Sequence, residues 1–552
     1  MTDIRHLASI LLFGLLVLLA LLAWIVGIPV RQARERLLAG DEAAAIETLG
    51  RWARLGLRGD DYEQLLSAAH LAAGDEAAAE SWLARAARRG PDLFPAVRKS
   101  EVGPLFLSRG LYEEFLRWDA AVRVRGEGEA AELYRAAAQL GAGRENEAKT
   151  TFAGVERDEV ESARYAALER SIARRQEGSY PLVMDRDGRA IALWQIANRD
   201  LVPVNTDFAP LVDRSAGSFT FEANLDRNGT ASVLDTTLDA RVQKAALAAI
   251  APYRASLVAI DTRTHEILAA ASSPGEGGPR NLAFAGEYEP GSIVKVLTAL
   301  AAYDAGIDPA KQFPMECDGV IEIDGRQFFD WARHGTVATL EEAMAVSCNL
   351  AFARIGLDLG RDRLTALMRK ARFGQKVDLG AFEVPLGREV RPVDHDFMLA
   401  NYAIGLEVQR TSALHLAMLA DMLANGGVMT TPRLVRARRS ILGDVVPEAA
   451  PAVANRVAAA LAVAAVFPSL RAVVTDVRGT GRRAALPNVD LAMKTGTAGD
   501  VVGGYDSVVL AFAPAQRPRI AIGMIAENAG PAELAGAAIV RDFFTAYFEE
   551  AP

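Results

Sequence analysis

The chain opens on an unbroken apolar run, Ala8 to Val30, 23 positions without a charge. As a helix this run is about 35 Å long at 1.5 Å per residue, enough to cross a hydrocarbon core of ~30 Å. It exceeds the usual secretory apolar core of about 7–15 residues, so residues 1–30 are expected to form an uncleaved transmembrane anchor. From residue 31 to about 175 the chain is rich in Ala, Leu, Arg and Glu and poor in β-branched residues, a pattern that predicts helices. Residues 176–231 carry β-favouring runs around turn signals, Asp187-Gly188 within Tyr180–Arg189 and then Asn228-Gly229. Beyond 232, strand-like and helix-like stretches alternate. Two β-favouring runs lie in Ala255–Pro274, a helical apolar run spans Val294–Tyr303, and a helix is expected over Leu340–Val346. An alternating stretch, Val489–Met493, reads as a strand, as does Ile520–Ile525, and a last helix falls near Leu534–Phe548.

The helical stretch repeats. Leu38-Ala39-Gly40-Asp41-Glu42-Ala43-Ala44-Ala45 returns as Ala72-Ala73-Gly74-Asp75-Glu76-Ala77-Ala78-Ala79, with Gly74 placed 34 residues after Gly40. Weaker copies follow at Gly110 and Gly143, 36 and 33 residues further on. A period near 34 with glycine in the turn resembles tetratricopeptide repeats, in which each helical pair buries its face on the next. Residues 31–175 are therefore expected to offer a concave surface to a partner protein, or else to serve as a spacer that sets the height of the following domain.

At 552 residues the chain exceeds one domain. Its net charge of −9 gives no support to nucleic-acid binding, and Arg433, Arg436, Arg438 and Arg439 read as a solvated strand end. Six scattered His and two Cys show no ligand spacing, so no metal site is expected. Asp394-His395-Asp396 reads as a surface loop.

Three short motifs carry chemistry. Ser292 and Lys295 follow Pro290-Gly291 at the start of the apolar helix, and positions i and i+3 share one helical face. The Lys295 amine is thus expected against the Ser292 hydroxyl. It can act as a base only when neutral, which requires burial or a second cation nearby. Ser347-Cys348-Asn349 follows the Leu340–Val346 helix, and Lys494-Thr495-Gly496-Thr497 ends the alternating stretch. Motifs of this type, in the order Ser-x-x-Lys, Ser-x-Asn and Lys-Thr-Gly, mark active-site-serine penicillin-recognising enzymes.

Over roughly residues 232–545 the sequence resembles the class B penicillin-binding proteins, serine D,D-transpeptidases. Asp235-Thr236-Thr237-Leu238-Asp239, Glu289-Pro290-Gly291-Ser292, Ser347-Cys348-Asn349-Leu350-Ala351-Phe352, Ala403–Gln409 and Ala424–Val428 carry the likeness. Asp185-Arg186-Asp187-Gly188 is similar to a segment of the family's membrane-proximal pedestal, which implies a short pedestal over 176–231. The resemblance implies that residues 232–552 form an α/β transpeptidase domain with a central antiparallel sheet flanked by helices. It also implies a single-pass membrane protein with its catalytic domain on the periplasmic side. The charges flanking the apolar run (Arg5 before it; Arg31, Arg34 and Arg36 after it) lean the other way.

For the site, the resemblance implies Ser292 as nucleophile, Lys295 as its base, and Ser347 and Asn349 on the opposite wall. Lys494 would depress the Lys295 pKa, Thr495 and Thr497 would bind a terminal carboxylate, and Gly496 would admit the substrate backbone. Backbone N–H groups of Ser292 and Thr497 are the expected oxyanion donors. Substrates would be peptidoglycan stem peptides, with β-lactams acylating the same serine, a membrane glycosyltransferase as partner, and no cofactor or metal. One departure is the return strand after Lys-Thr-Gly, where Tyr505–Leu510 lacks the family's aromatic richness. Cys348, between two site residues, is read as a small buried thiol rather than a half-cystine bridged to Cys317. The competing readings are a D,D-carboxypeptidase or β-lactamase-like hydrolase, and a repeat-based scaffold or β-lactam sensor.

Overall fold

The computed structural model describes residues 28–37, 41–54, 60–86, 99–108, 110–121, 129–156, 161–176, 178–224, 233–273, 280–390, 392–448, 453–500 and 504–550. Residues 1–27 of the expected membrane anchor, Gly40 of the first repeat copy and the Asn228-Gly229 turn lie outside the described residues. Among the described residues no helix is long and apolar enough to cross a membrane.

The Ala-rich stretch folds into helices, including α1 (Asp60–Ala72), α2 (Glu76–Ala86), α3 (Lys99–Ser108), α4 (Tyr112–Ala121), α5 (Glu129–Gly141) and α6 (Glu145–Ala153). Successive pairs are joined at Gly74, Gly110 and Gly143, whose φ values of 78°, 73° and 78° lie in the left-handed region that glycine enters freely. Each turn closes with the same pair of bonds, as Gly74 N–H to Leu71 O and Asp75 N–H to His70 O. The repeated sequence unit therefore corresponds to a repeated helical hairpin. Phe106, Phe115, Trp118 and Tyr134 fill the core between hairpins.

Two sheets organise the remainder. β1 (Ser179–Met184), β2 (Ala190–Gln195), β3 (Asp200–Pro203) and β4 (Val233–Thr236) form one sheet with strands from much later in the chain. The Asp185 carboxylate accepts the N–H groups of Asp187 and Arg189, which sets the β1–β2 turn that the Asp187-Gly188 signal predicts. β5 (Arg254–Asp261) and β6 (Ile267–Ser272) are the expected first hairpin of the second sheet. β7 (Val435–Arg439) and β8 (Val445–Pro447) return to the first sheet, giving the order β8-β7-β4-β1-β2-β3. β9 (Ala492–Asp500), β10 (Gly504–Ala513) and β11 (Ile520–Glu527) complete an antiparallel sheet of order β9-β10-β11-β5-β6. Its central strands are buried on both faces and read as continuous apolar runs, such as Ile520–Ala526. Helices Ala240–Ile250 and Ala535–Glu550 pack against each other and the sheet, and Ala413–Ala424 packs directly on β11 and β5. An α/β domain with a central antiparallel sheet and flanking helices is thus present.

The β7–β8 turn also joins the helical region to the sheets. Leu442 is buried in the helical core, and the Asp444 carboxylate accepts from Arg164 Nε at 2.8 Å and from the Tyr134 hydroxyl at 3.3 Å. The arginines read as a solvated strand end are paired: Arg433 with Glu266, Arg438 with Glu448, and Arg439 with Asp235.

Candidate active site

Ser292 lies in a single 3₁₀ turn, Gly291–Ile293, that leads into helix α7 (Val294–Asp304). Pro290 takes the cap position and no side chain caps the turn. The Ser292 hydroxyl is therefore not spent on a backbone N–H. Lys295, one turn on, is fully buried. Its amine does not hydrogen-bond the Ser292 hydroxyl as expected. It reaches across the cleft to the Ser347 carbonyl at 2.6 Å, the Ser347 hydroxyl at 3.1 Å and the Asn349 side-chain oxygen at 2.7 Å. Those oxygens take all three donors of an ammonium, which leaves none for Ser292.

The far wall is a junction of two helices. Helix Leu340–Ala345, capped by the Thr339 hydroxyl, ends just before Ser347, and Ser347 adopts a left-handed φ of 55°. Helix Asn349–Leu359 starts immediately after, with the Cys348 sulfur accepting the Ala351 N–H. The reversal at Ser347 lets Ser347 and Asn349 address the same amine, a conformation rare outside glycine and associated with sites of function. Asp330, which no motif marks, pins the second helix: its Oδ2 accepts the N–H groups of Asn349 at 2.8 Å and Leu350 at 3.2 Å. Only its place after Phe328-Phe329 hints at it, and nothing in the spacing ties it to Asn349.

The third wall is β9. The strand begins at Ala492, later than the Val489 expected, and runs through the Lys-Thr-Gly motif to Asp500; β9 is the sheet's edge, so its outer rim is open to pairing with another chain. Lys494 is fully buried and donates to the Ser347 hydroxyl at 2.9 Å and to the Thr495 carbonyl at 2.6 Å. Gly496 faces the nucleophile turn: a Cβ there would stand 2.8 Å from Pro290 O and 3.3 Å from Ser292 N. The Thr495 hydroxyl is engaged by Thr480 at 2.5 Å. The Thr497 hydroxyl accepts the Ala532 N–H at 3.1 Å, so its own proton stays available to a ligand. Ser347, Asn349, Lys295 and Lys494 thus form one hydrogen-bonded network, with Ser292 packed on the Gly496 rim beside it.

The electrostatics follow from burial. Desolvation drives the Lys295 amine down to about 8 against the opposing pull of Asp330. Lys494 is held well below its ordinary value by burial first and by the neighbouring Lys295 second. Both amines meet at the Ser347 hydroxyl, and like charges this close in a buried site disfavour double protonation. No carboxylate hydrogen-bonds Ser292, Lys295 or Lys494 among the described residues.

Gly405 supports the turn from behind. Gly291 N–H donates to its carbonyl at 3.0 Å, its φ is +85°, and a Cβ there would fall 2.0 Å from Gly291 O. Gly405→Ala is expected to cost about 1–3 kcal/mol through strain and to displace the Ser292 turn. Penicillin acylation should slow while the protein still melts cooperatively, which stopped-flow labelling and calorimetry would measure.

A serine at a helix start, a wall of paired hydroxyl and amide, and an edge strand carrying a buried lysine stand together in one cleft, the arrangement that the three motifs lead one to expect of the active-site-serine penicillin-recognising class. The chain belongs to the penicillin-binding protein transpeptidase domain family, whose description matches residues 255–547. The peptidoglycan D,D-transpeptidase PbpA of Mycolicibacterium smegmatis is 29% identical over 345 residues, covering 54% of this chain and 67% of that protein. The peptidoglycan D,D-transpeptidase MrdA of Acinetobacter baumannii is 29% identical over 343 residues, 53% of this chain and 50% of its own length. Among solved structures, the ceftriaxone acyl-enzyme of penicillin-binding protein A from Mycobacterium tuberculosis superposes with a TM-score of 0.58 at 21% identity. That superposition covers 69% of this chain and 99% of that one.

Proposed function

We propose that this protein is a peptidoglycan D,D-transpeptidase that works through a Ser292 acyl-enzyme and is acylated at the same serine by β-lactams. The observation that carries the proposal is the pair of buried lysines meeting at Ser347 beside the uncapped Ser292 hydroxyl. In the cycle, neutral Lys295 takes the Ser292 proton as Oγ attacks the carbonyl of the penultimate D-alanine of a stem peptide. The Ser347 hydroxyl gives a proton to the departing D-alanine amine and recovers one from the lysine pair. Backbone N–H groups of Ser292 and Thr497 hold the oxyanion, a contribution of about 10²–10³-fold per donor. Thr497, with Thr495 after release from Thr480, binds the terminal carboxylate. An amine from a neighbouring strand then attacks the ester, forming the cross-link and returning the proton to Ser292. The absence, among the described residues, of a carboxylate hydrogen-bonded to Ser292 or to either lysine favours slow hydrolysis of the acyl-enzyme and so synthesis over the hydrolase alternatives.

The domain limits (1–30 anchor, 31–175 tetratricopeptide-like repeats, 176–231 pedestal, 232–552 transpeptidase) belong to the same proposal. So do the periplasmic placement, the protein partner of the repeats and the glycosyltransferase partner. The test is a product assay: a stem-peptide thioester offered with an acceptor amine. Cross-linked product should exceed the free acid, whereas predominance of the acid would assign a carboxypeptidase.

A further inference from the structure

Helix Ser162–Gln176 runs beside β1 and the β7–β8 turn, and a cavity of about 410 Å³ opens between them. That volume lies within the roughly 300–1,000 Å³ of small-molecule sites. The sequence accounts for the space. Ala163, Ala167 and Ser171 recur every four residues and share the helix face that lines the cavity. None of them is bulky, so the face is hollow. The turn closes one side: the Ser171 hydroxyl donates to Ile441 O at 3.3 Å, and a Cβ on Gly443 would stand 3.6 Å from the Ala167 Cβ. Tyr180 and Pro181 of β1 and the buried Leu442 supply apolar wall. The charged part of the lining has one sign. Arg170, Arg174 and Arg175 of the helix and Arg439 of β7 border the cavity, and no carboxylate does among the described residues. Arg439 is paired with Asp235; the other three make no ion pair among the described residues. Arg174 and Arg175 stand in the last helical turn, where cations complement the helix dipole. Arg170 precedes that turn and Arg439 comes from a strand, so the dipole does not explain the set. Arg170 and Arg174 are also four residues apart, a spacing at which like charges repel, and an anion in the cavity relieves that repulsion.

We propose that this cavity binds a phosphate monoester with an apolar substituent, its phosphate on Arg170, Arg174 and Arg175 and its apolar part against Tyr180, Pro181 and Leu442. Planar guanidiniums pair bidentately with phosphate oxygens, and three unpaired cations match a doubly charged anion better than a single carboxylate. The apolar wall adds contacts that inorganic phosphate cannot use. The ligand is either the headgroup of an anionic lipid or a soluble phosphate ester, and the chemistry at the cavity is the same for both. The cavity lies at the joint where Asp444 takes Arg164 and Tyr134. An occupant would therefore brace the helical region against the sheets. No residue of the Ser292 cleft lines the cavity, so the two sites are separate.

The test uses the full-length protein in nonionic detergent, with phenyl phosphate as the probe and titration calorimetry as the readout. One site per chain is expected, at least about tenfold tighter than for inorganic phosphate or phenol, each of which lacks half of the contacts. Arg174→Gln combined with Arg175→Gln should weaken binding on the order of tenfold per charge removed. Ala163→Leu keeps every charge and fills the space from an exposed position. It should weaken phenyl phosphate binding while leaving the melting temperature of the free protein unchanged. Nanodiscs separate the two sources. Loss of phenyl phosphate binding in phosphatidic acid discs but not in phosphatidylcholine discs assigns a lipid headgroup, and binding retained in both assigns a soluble ester. Phenyl phosphate that binds no more tightly than inorganic phosphate, or equally well to the arginine and Ala163→Leu variants, overturns the proposal. None of these readouts involves acyl transfer, so their failure would leave the transpeptidase reading standing.

Discussion

Ser292→Ala is expected to lower penicillin acylation and stem-peptide cross-linking by on the order of 10⁴–10⁶-fold, the scale seen when a nucleophile that works within a coupled unit is removed. The size follows from the absence of a substitute. Ser347 is already the shared acceptor of both lysines, and its hydroxyl sits behind the Lys295 amine. The Thr497 hydroxyl is held by Ala532. Because the Ser292 side chain makes no cap, its loss should leave the melting temperature nearly unchanged, which separates a chemical defect from a folding one.

Lys295→Met is expected to cost about 10²–10⁴-fold in acylation, the usual contribution of a positioned general base. Methionine keeps most of the buried volume and removes an amine that has no carboxylate bonded to it. The folded protein should therefore persist while proton transfer is lost. The wild-type pH profile checks the same claim with its sign fixed. Burial brings Lys295 down to about 8, and the amine is a base only when unprotonated. Acylation should thus rise about tenfold per pH unit below that value and level off above it. In Lys295→Met the rise should vanish. A wild-type rate that falls with increasing pH through this range would contradict the assignment.

Much of this site was legible in the sequence because the motifs are local. Ser292 and Lys295 need only one helical turn to share a face, and Ser347-Cys348-Asn349 needs only the end of one helix and the start of the next. Part of the sheet was legible for the same reason, since β5, β6 and β11 are apolar runs of strand length between turns. What stayed hidden depends on contacts between distant segments. Lys295 was expected on Ser292, but the oxygens of Ser347 and Asn349, more than 50 residues away, hold it. The motif offers the Thr495 hydroxyl to a terminal carboxylate, yet Thr480 engages it. The left-handed turn at Ser347 carries no glycine to announce it. The first sheet draws β7 and β8 from some 200 residues beyond β4. Spacing along the chain records none of these relations.

Covalent capture on the wild-type protein tests the central claim most directly. After brief exposure to penicillin G and removal of excess drug, intact mass spectrometry should show one penicilloyl adduct per chain. It should persist over many minutes, and peptide mapping should place it on Ser292. Rapid return to the unmodified mass with steady consumption of penicillin, or an adduct on any other residue, would contradict the account.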